Sequence, residues 1–343
     1  MKANTARKPI KLQQNIIMLI AMIVLIGVFS LFNPNFILDK YNILRMVQSL
    51  APYAILALGA TFVIATGGID LSIGTVCIAV AAMAGKMFTN GWIPLWATIP
   101  MMIVMGCFFG VINGLLIAKM KVPAFIGTMG IMMLSRGLSA LLVVDPNVFY
   151  PTGTWFNKIF SNMNNFPIGI VWVLALMLIC MYLMYKNKIG RYILAIGSNE
   201  EATRLSGINT DNYKIFAYTF AGLFCGIAAV FYSAAFPTIS CATGNGMELD
   251  AIAGVYIGGT SSAGGVASVS GSVIGAILLV VIRSGLNMVL AKMNLNLNST
   301  YVTYVLTGII LVVAILMDII KTQNQNKVKI EKVEASKTEA PKA

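Results

Sequence analysis

Long apolar stretches dominate this sequence, and they restrict it to folds in which segments of about 20 residues cross a lipid bilayer. Hydrophobic residues make up 58% of the 343-residue chain, and charged residues make up 10%. The first apolar run, 15–32, is too long for the core of a cleaved signal peptide and lacks a small-residue cleavage site. These features predict an all-α polytopic membrane protein.

Ten stretches meet the length and hydropathy expected of a transmembrane helix, so we predict about ten spans, some of them broken or short. The third, eighth and ninth are the least regular, since the eighth is short and the ninth begins in the run GGTSSAGGVASVSG. A broken or re-entrant helix is the alternative there. The predicted spans lie near 15–34, 47–66, 71–88, 94–118, 124–144, 168–185, 214–236, 249–262, 267–291 and 300–320.

Basic residues orient the predicted spans, because Lys and Arg collect in cytoplasmic loops. With a cytoplasmic N-terminus, 17 of the 24 Lys and Arg residues lie inside and five outside. Both termini are therefore predicted to be cytoplasmic, as a tail at 1–14 and a charged, disordered tail at 321–343 whose lysines lie near lipid headgroups. The net charge of +12 thus indicates cytoplasmic loops of a membrane protein, not a nucleic-acid partner.

The residues that catalysis or metal binding would need are missing. The chain has no histidine, and its five cysteines are widely separated, which removes His-based catalysis, the usual zinc sites and a CxxC redox site. It also has no GxxxxGK[ST] phosphate loop, since Gly85-Lys86 is followed by Met87. We therefore expect no enzyme activity, no metal and no cofactor in this chain.

A cytoplasmic loop at 186–214, called the charged loop below, concentrates charge in a chain that otherwise has little. Its stretch SNEEATRLSG, 198–207, offers Ser198 or Asn199 as a helix N-cap and places Glu200 and Glu201 in the first turn. This pattern predicts about two turns of helix on the membrane surface.

Helical spacing predicts that Glu201 and Arg204 are exposed and that Leu205 and Ile208 face inward. A plain solvated connector is the alternative reading of the same charges.

The spacing Glu201-Ala202-Thr203, followed by Gly207, resembles the E-A-A-x-x-x-G signature of permease subunits that dock on the ATPases of ATP-binding-cassette importers; Thr203 replaces the second alanine. The stretches GGIDLSIG, GRYILAIGSNEEATRLSGIN, ELDAIAG and GGTSSAGG also resemble those of ribose-type permeases, in the same order, from about residue 40 to Asp318.

The resemblance implies a ten-span permease subunit in the bacterial cytoplasmic membrane that imports a ribose-like pentose, or else a hexose or related polyol. It implies as partners a second permease copy, a cytoplasmic ATPase that supplies ATP and magnesium chemistry, and an extracytoplasmic solute-binding protein. The residues expected to couple this chain to the ATPase are Glu200, Glu201, Ala202, Arg204, Leu205 and Gly207.

Carboxylates near apolar segments are costly and are therefore functional candidates. In ATGGIDLSIG, Asp70 follows a helix break, and we weigh a capping role, accepting from the N–H of Ser72 or Ile73, against a role in the solute path or gate. The Gly/Ser run GGTSSAGG either packs helices closely or hinges a gate. The gate or path candidates are Gly67, Gly68, Asp70, Ser72, Gly258, Gly259 and Ser261.

Glu248 and Asp250 lie where the eighth predicted span is entered from outside. One is expected to cap that helix while the other meets a basic residue of the solute-binding protein. For Arg136 and Arg283, which also lie in apolar surroundings, we expect a carboxylate partner or an interfacial position in preference to contact with solute.

The main alternative function is an ion-coupled secondary transporter of a small polar solute. Such proteins place acidic residues or histidine deep in the membrane, whereas the acids here cluster near predicted helix ends. An intramembrane enzyme is less favoured, since no nucleophile or metal constellation is present. A channel is the fourth alternative.

Overall fold

The computed structural model describes residues 10–145, 147–162, 166–241, 244, 246–292, 301–302, 305, 308–309, 312–313 and 315–316. Two short strands, β1 (Val148–Phe149) and β2 (Thr238–Ile239), pair antiparallel, and the other elements are helices. The helices are α1 (Ile10–Phe32), α2 (Asn35–Leu38), α3 (Lys40–Ala65), α4 (Ile73–Thr89), α5 (Leu95–Ala118), α6 (Ala124–Val143), α7 (Trp155–Phe160), α8 (Gly169–Tyr185), α9 (Lys188–Ser198), α10 (Glu200–Leu205), α11 (Thr210–Ala235), α12 (Met247–Ile257) and α13 (Val269–Lys292).

The observed helices confirm an all-α polytopic membrane protein but not the number of crossings. Within the described residues, six helices are long and apolar enough to cross a membrane: α1, α3, α5, α6, α11 and α13. The pair α8 and α9, bent by 66°, makes a seventh if it forms one span. The fourth and twelfth helices have 17 and 11 residues and fall short of a full crossing. The tenth predicted span lies mostly, and the tail at 321–343 wholly, outside the described residues.

Several elements were not predicted from the sequence. The charged loop contains α9, an 11-residue helix that buries Gly190, Ile193 and Ile196. The other missed elements, α2, α7 and the two strands, have two to six residues each, which is too short for hydropathy or periodicity to reveal.

Glycines bring α5 and α11 into backbone contact along a seam. A Cβ on Gly110 would lie 2.5 Å from the carbonyl oxygen of Tyr218, and a Cβ on Gly226 would lie 2.5 Å from that of Met102. Gly222 lies so close to Gly106 that a side chain on either would overlap the other. In lipid, where apolar surface gives little drive for association, such close approach maximises van der Waals contact.

The centre of the molecule is built on α3, which is buried from Leu50 to Ala65 and packs against both α11 and α13. Two short buried helices, α4 and α12, meet at their first turns. There, Gly74 of α4 faces Glu248 and Met247 of α12 at backbone distance. Helices interrupted within an apolar bundle bring their polar ends into its interior, so this region can hold polar groups.

Candidate functional site

The charged loop contains two helices, α9 and α10, and the first residues of a third, α11. Asn187 caps α9, its Oδ1 accepting from the Ile189 N–H at 3.0 Å, just after the bend at the end of α8. The apolar face of α9 packs on the bundle through Ile193 and Ile196. The loop is therefore held on the protein at its start.

The short helix α10 forms as predicted, with Asn199 as its N-cap. The Asn199 side chain accepts from the N–H of Ala202 at 2.9 Å, and Glu200 and Glu201 lie in the first turn. The helix ends at Leu205, and Gly207, two residues further on, has a φ of +82°, the left-handed conformation that glycine adopts readily. No described atom lies within 4 Å of the place a Cβ on Gly207 would occupy, so its outer surface is open.

Glu200 ties α10 to α11 rather than facing outward. Its carboxylate accepts from the Lys214 ammonium, from the Thr210 hydroxyl at 3.4 Å and from Arg204 Nη2 at 3.1 Å. Partial burial raises the pKa of Glu200, but the hydrogen bond and charge of Lys214, with the charge of Arg204, outweigh it and hold the pKa below its ordinary value. The tie is therefore complete at neutral pH and is lost only as the pH falls through that lowered pKa.

The outward face of α10 carries Glu201, Arg204 and Leu205. Their side chains are exposed, that of Glu201 by 71% and Arg204 by 49%, and Leu205 is 82% exposed. The predicted inward orientation of Leu205 is wrong. Thr203 faces inward instead and is only 6% exposed. The contacts of Glu200 with Thr210 and Lys214 of α11 hold the helix in this rotation.

Ala202 is exposed beside these residues. The outward face therefore presents an acid, a base, a small residue and a large apolar residue, followed by a glycine. Such a face offers a chemically mixed contact surface to another protein.

The second candidate region is a buried polar centre formed by Asp70, Ser72 and Asn113. Asp70 Oδ1 accepts from the Ser72 N–H at 2.9 Å and from its hydroxyl at 2.6 Å, while Asn113 Nδ2 donates to Ser72 Oγ at 2.9 Å. The Asn113 amide also lies 3.4 Å from each Asp70 carboxylate oxygen. All three residues are buried, and these bonds satisfy their side chains except for Asn113 Oδ1, which has no hydrogen-bond partner within the described part of the chain.

Asp70 thus accepts the predicted hydrogen bond from the Ser72 N–H, but it is not the N-cap residue of α4. The residue that precedes α4 is Ser72, and Asp70 closes an Asx turn two residues earlier. The segment carrying Asp70 is also held by α6 and α11. Thr128 Oγ1 accepts from the Leu71 N–H at 3.2 Å, and the Tyr218 hydroxyl donates to the Ile69 carbonyl at 3.2 Å.

Two of the predicted glycines, Gly67 and Gly68, lie in the same segment and let its backbone turn and approach Tyr218 closely. Gly67 has a φ of +80°, and a Cβ on Gly68 would lie 2.5 Å from the Tyr218 hydroxyl. Sequence reasoning missed Asn113, Thr128 and Tyr218. A polar residue inside an apolar span is a signal that could have found Asn113 and Thr128.

The other gate candidates lie in the turn between α12 and α13. Gly258 packs its backbone on Gly271, and Gly259 has a φ of +87°. Ser261 is buried, and its Oγ accepts from the Ala263 N–H at 3.3 Å within the same turn. These residues form a compact turn next to α13 and are not brought to the buried polar centre by any described hydrogen bond.

Glu248 and Asp250 lie in the first turn of α12, and both are buried. Asp250 forms an ion pair with Arg283, whose guanidinium also donates to the Tyr53 hydroxyl at 2.7 Å and lies over the Tyr53 ring. The expected carboxylate partner of Arg283 is thereby confirmed. Glu248 Oε1 accepts from the Gly246 N–H at 3.3 Å, whereas its Oε2 has no hydrogen-bond partner within the described part of the chain. Docking of a solute-binding protein on these acids stays a prediction, to which their burial lends no support.

In this fold, apolar spans surround two short interior helices, and polar groups lie at the breaks between helices. A helix with a chemically mixed surface, α10, is exposed beside the bundle. Together these features define a multi-pass membrane transport protein. The chain belongs to the family described as branched-chain amino acid transport system, permease component, which matches residues 42–315.

Relatives of known name agree with this family. The ribose import permease proteins of Escherichia coli and Bacillus subtilis are each 34% identical to the chain, over 88% and 87% of its length and 92% and 91% of theirs. A fructose import permease protein of Bifidobacterium longum is 31% identical over 77% of this chain and 78% of its own. No solved structure was found to match.

Proposed function

We propose that this chain is the transmembrane permease subunit of an ATP-driven importer of a small sugar. The names of its relatives favour a ribose-like pentose as the solute, with a hexose or related polyol as alternatives. The observation that carries the coupling part of the proposal is the outward face of α10, where Glu201, Arg204 and Leu205 are exposed. That face coincides with the signature by which permeases of such importers dock on their ATPases.

The energy for transport comes from a partner in this proposal. A cytoplasmic ATPase grips α10 and supplies the ATP and magnesium, and this chain contributes no cofactor of its own. A second copy of the permease completes the solute path, and an extracytoplasmic solute-binding protein delivers the sugar.

The proposed topology follows from charge and helix length. Ten spans place both termini and the charged loop on the cytoplasmic side of a bacterial cytoplasmic membrane. The short helices α4 and α12 each count as one of the ten, because irregular chain buried in the bundle completes their crossings.

The proposed solute path runs by the breaks at 66–72 and 258–268. The buried polar centre offers carboxylate, hydroxyl and amide groups of the kind that sugar hydroxyls bind. In the present arrangement these groups are bonded to one another, as expected of a closed path.

The second candidate function is an ion-coupled secondary transporter, which one observation favours. Asp70 and Glu248 are carboxylates buried inside an apolar bundle, and Glu248 Oε2 has no described hydrogen-bond partner. Proton relays in transporters use residues of this kind.

Uptake by intact cells tests the solute assignment. Cells lacking this chain, and the same cells complemented with it, are given a panel of radiolabelled pentoses, hexoses and polyols in the presence of the cognate binding protein. The proposal predicts accumulation of ribose or a closely related sugar only in complemented cells. No accumulation of any sugar, with the protein present in the membrane, would contradict it.

A further inference from the structure

Three segments that are distant in sequence meet backbone to backbone at the end of α9. Gly265, in the turn between α12 and α13, donates its N–H to the carbonyl of Ala65, the last residue of α3, at 3.0 Å. A Cβ on Gly197, near the end of α9, would overlap both of these backbone groups. A Cβ on Gly264 would lie 2.7 Å from the nitrogen of Gly67 and 3.0 Å from the Cα of Gly197. We call Ala65, Gly67, Gly197, Gly264 and Gly265 the glycine junction.

The contact depends on glycine for two separate reasons. Gly197 leaves no room for a side chain, and Gly67, Gly264 and Gly265 have φ values of +80°, +83° and +74°. Side chains disfavour that region of backbone space. The main chains of the three segments therefore touch without flexible side chains between them.

The glycine junction joins the end of α9, which leads into the exposed helix α10, to both breaks of the bundle. Beyond Gly197, only Ser198 and Asn199 precede the first residue of α10. Beyond Ala65, the chain enters the segment that carries the buried polar centre and leads into α4. Gly265 belongs to the turn that follows α12.

A second tie holds the same turn to the helix that precedes α9. The Tyr185 hydroxyl, at the end of α8, donates to the Ala267 carbonyl and accepts from the Val269 N–H, each at 3.1 Å. The ends of α8 and α9 thus both hold the chain between α12 and α13.

From this arrangement we propose that the glycine junction is the mechanical link through which movement of α10 displaces the breaks at 66–72 and 258–268. Close-packed main chains transmit a displacement, whereas intervening flexible side chains would absorb part of it. The inference rests on the proposed function, because it takes an ATPase to be the source of that movement. It assigns Gly197 a positioning role, distinct from contact with the ATPase or the solute.

Gly197→Ala tests the link, because the added methyl group would overlap the backbone of Ala65 and Gly265. Gly137→Ala is the matched control. Gly137 lies within helix α6, where no described atom is within 4 Å of an added Cβ. The variants are purified with the ATPase and reconstituted in vesicles with the binding protein. For Gly197→Ala we expect normal co-purification of the ATPase, ATP hydrolysis no longer stimulated by loaded binding protein, and uptake reduced by about tenfold or more.

Loss of the ATPase together with loss of uptake would mean that Gly197 merely maintains the fold, and it would overturn the proposal. So would stimulation and uptake equal to those of Gly137→Ala. Ser198→Leu is a second variant, since Ser198 is exposed and its hydroxyl lies against Gly265, so that a larger side chain wedges the link from outside. Stimulation and uptake equal to those of Gly137→Ala in this variant as well would contradict the link.

Failure of the proposed function gives a different result from failure of the link. If the proposed function is wrong, the unsubstituted protein itself neither retains an ATPase nor takes up sugar when ATP is supplied. The effect of Gly197→Ala is interpreted only against an unsubstituted protein that does both.

Discussion

Leu205 presents a large apolar side chain at the end of α10, with Glu201 and Arg204 beside it. At 82% exposure it gains nothing from the fold of this chain, and a partner groove would bury it. Leu205→Asp is predicted to weaken ATPase binding by about tenfold or more, because an apolar contact is replaced by a charge that must be desolvated. Co-purification of the ATPase with the variant measures this directly.

Met120→Asp is the matched control for Leu205→Asp. Met120 is a 68% exposed apolar residue in the short connection between α5 and α6, on the side predicted to be cytoplasmic. We expect it to retain the ATPase. Equal retention of the ATPase by both variants would show that α10 does not contact it.

Asp70 is the main acceptor of the buried polar centre, where its Oδ1 accepts from the N–H and the hydroxyl of Ser72. Asp70→Asn keeps an oxygen that can accept from Ser72, whereas Asp70→Leu leaves the Ser72 N–H and hydroxyl without this acceptor, at a cost of about 1–3 kcal/mol for each buried group. We predict that the Asn variant retains abundance and part of its uptake and that the Leu variant loses both. If both variants reach normal levels and both lose all uptake, the charge of Asp70 is needed for transport itself.

At the scale of elements, the seam between α5 and α11 brings two long helices into backbone contact. Gly222→Val is predicted to destabilise the protein by roughly 1–3 kcal/mol, because its side chain would meet the backbone of Gly106 and Gly110. Thermal unfolding in detergent and membrane abundance measure the loss. Gly130→Val in α6, where the space beside the glycine is open, should leave both unchanged, and an equal loss in the control would place the cause in helix propensity.

Hydropathy and capping patterns predicted α10 and the positions of the long helices because both depend on local sequence. Asn199 and Gly207 delimit α10 through their own hydrogen bonds and backbone conformation, which a short stretch determines. By contrast, the rotation of α10 depends on the contacts of Glu200 with Thr210 and Lys214 of α11, so the orientation of Leu205 was predicted wrongly.

The sequence did contain signals for some features that were missed. The spacing of Ile189, Ile193 and Ile196 is that of an amphipathic helix and could have revealed α9. The partners of Asp70 and Asp250, Asn113 and Arg283, are 43 and 33 residues away from them in sequence. Such pairings depend on how the helices pack, which periodicity does not determine.

At the scale of the whole molecule, the orientation in the membrane is open to a direct test. Single cysteines are introduced at Glu201 and at Lys158, both exposed, in a background without the five native cysteines. The charge bias predicts that a membrane-impermeant maleimide labels the Lys158 position in intact cells and the Glu201 position only after lysis. Labelling of the Glu201 position in intact cells would reverse the topology and remove α10 from the side of the ATPase.

The energy source is the central claim, and uptake into sealed vesicles tests it most directly. Vesicles containing the permease and its ATPase receive the loaded binding protein outside and either ATP with magnesium inside or an imposed proton or sodium gradient without ATP. An ATP-driven importer accumulates the sugar only with internal ATP, and Leu205→Asp abolishes that accumulation. Accumulation driven by an ion gradient without ATP would contradict the claim and identify the chain as a secondary transporter.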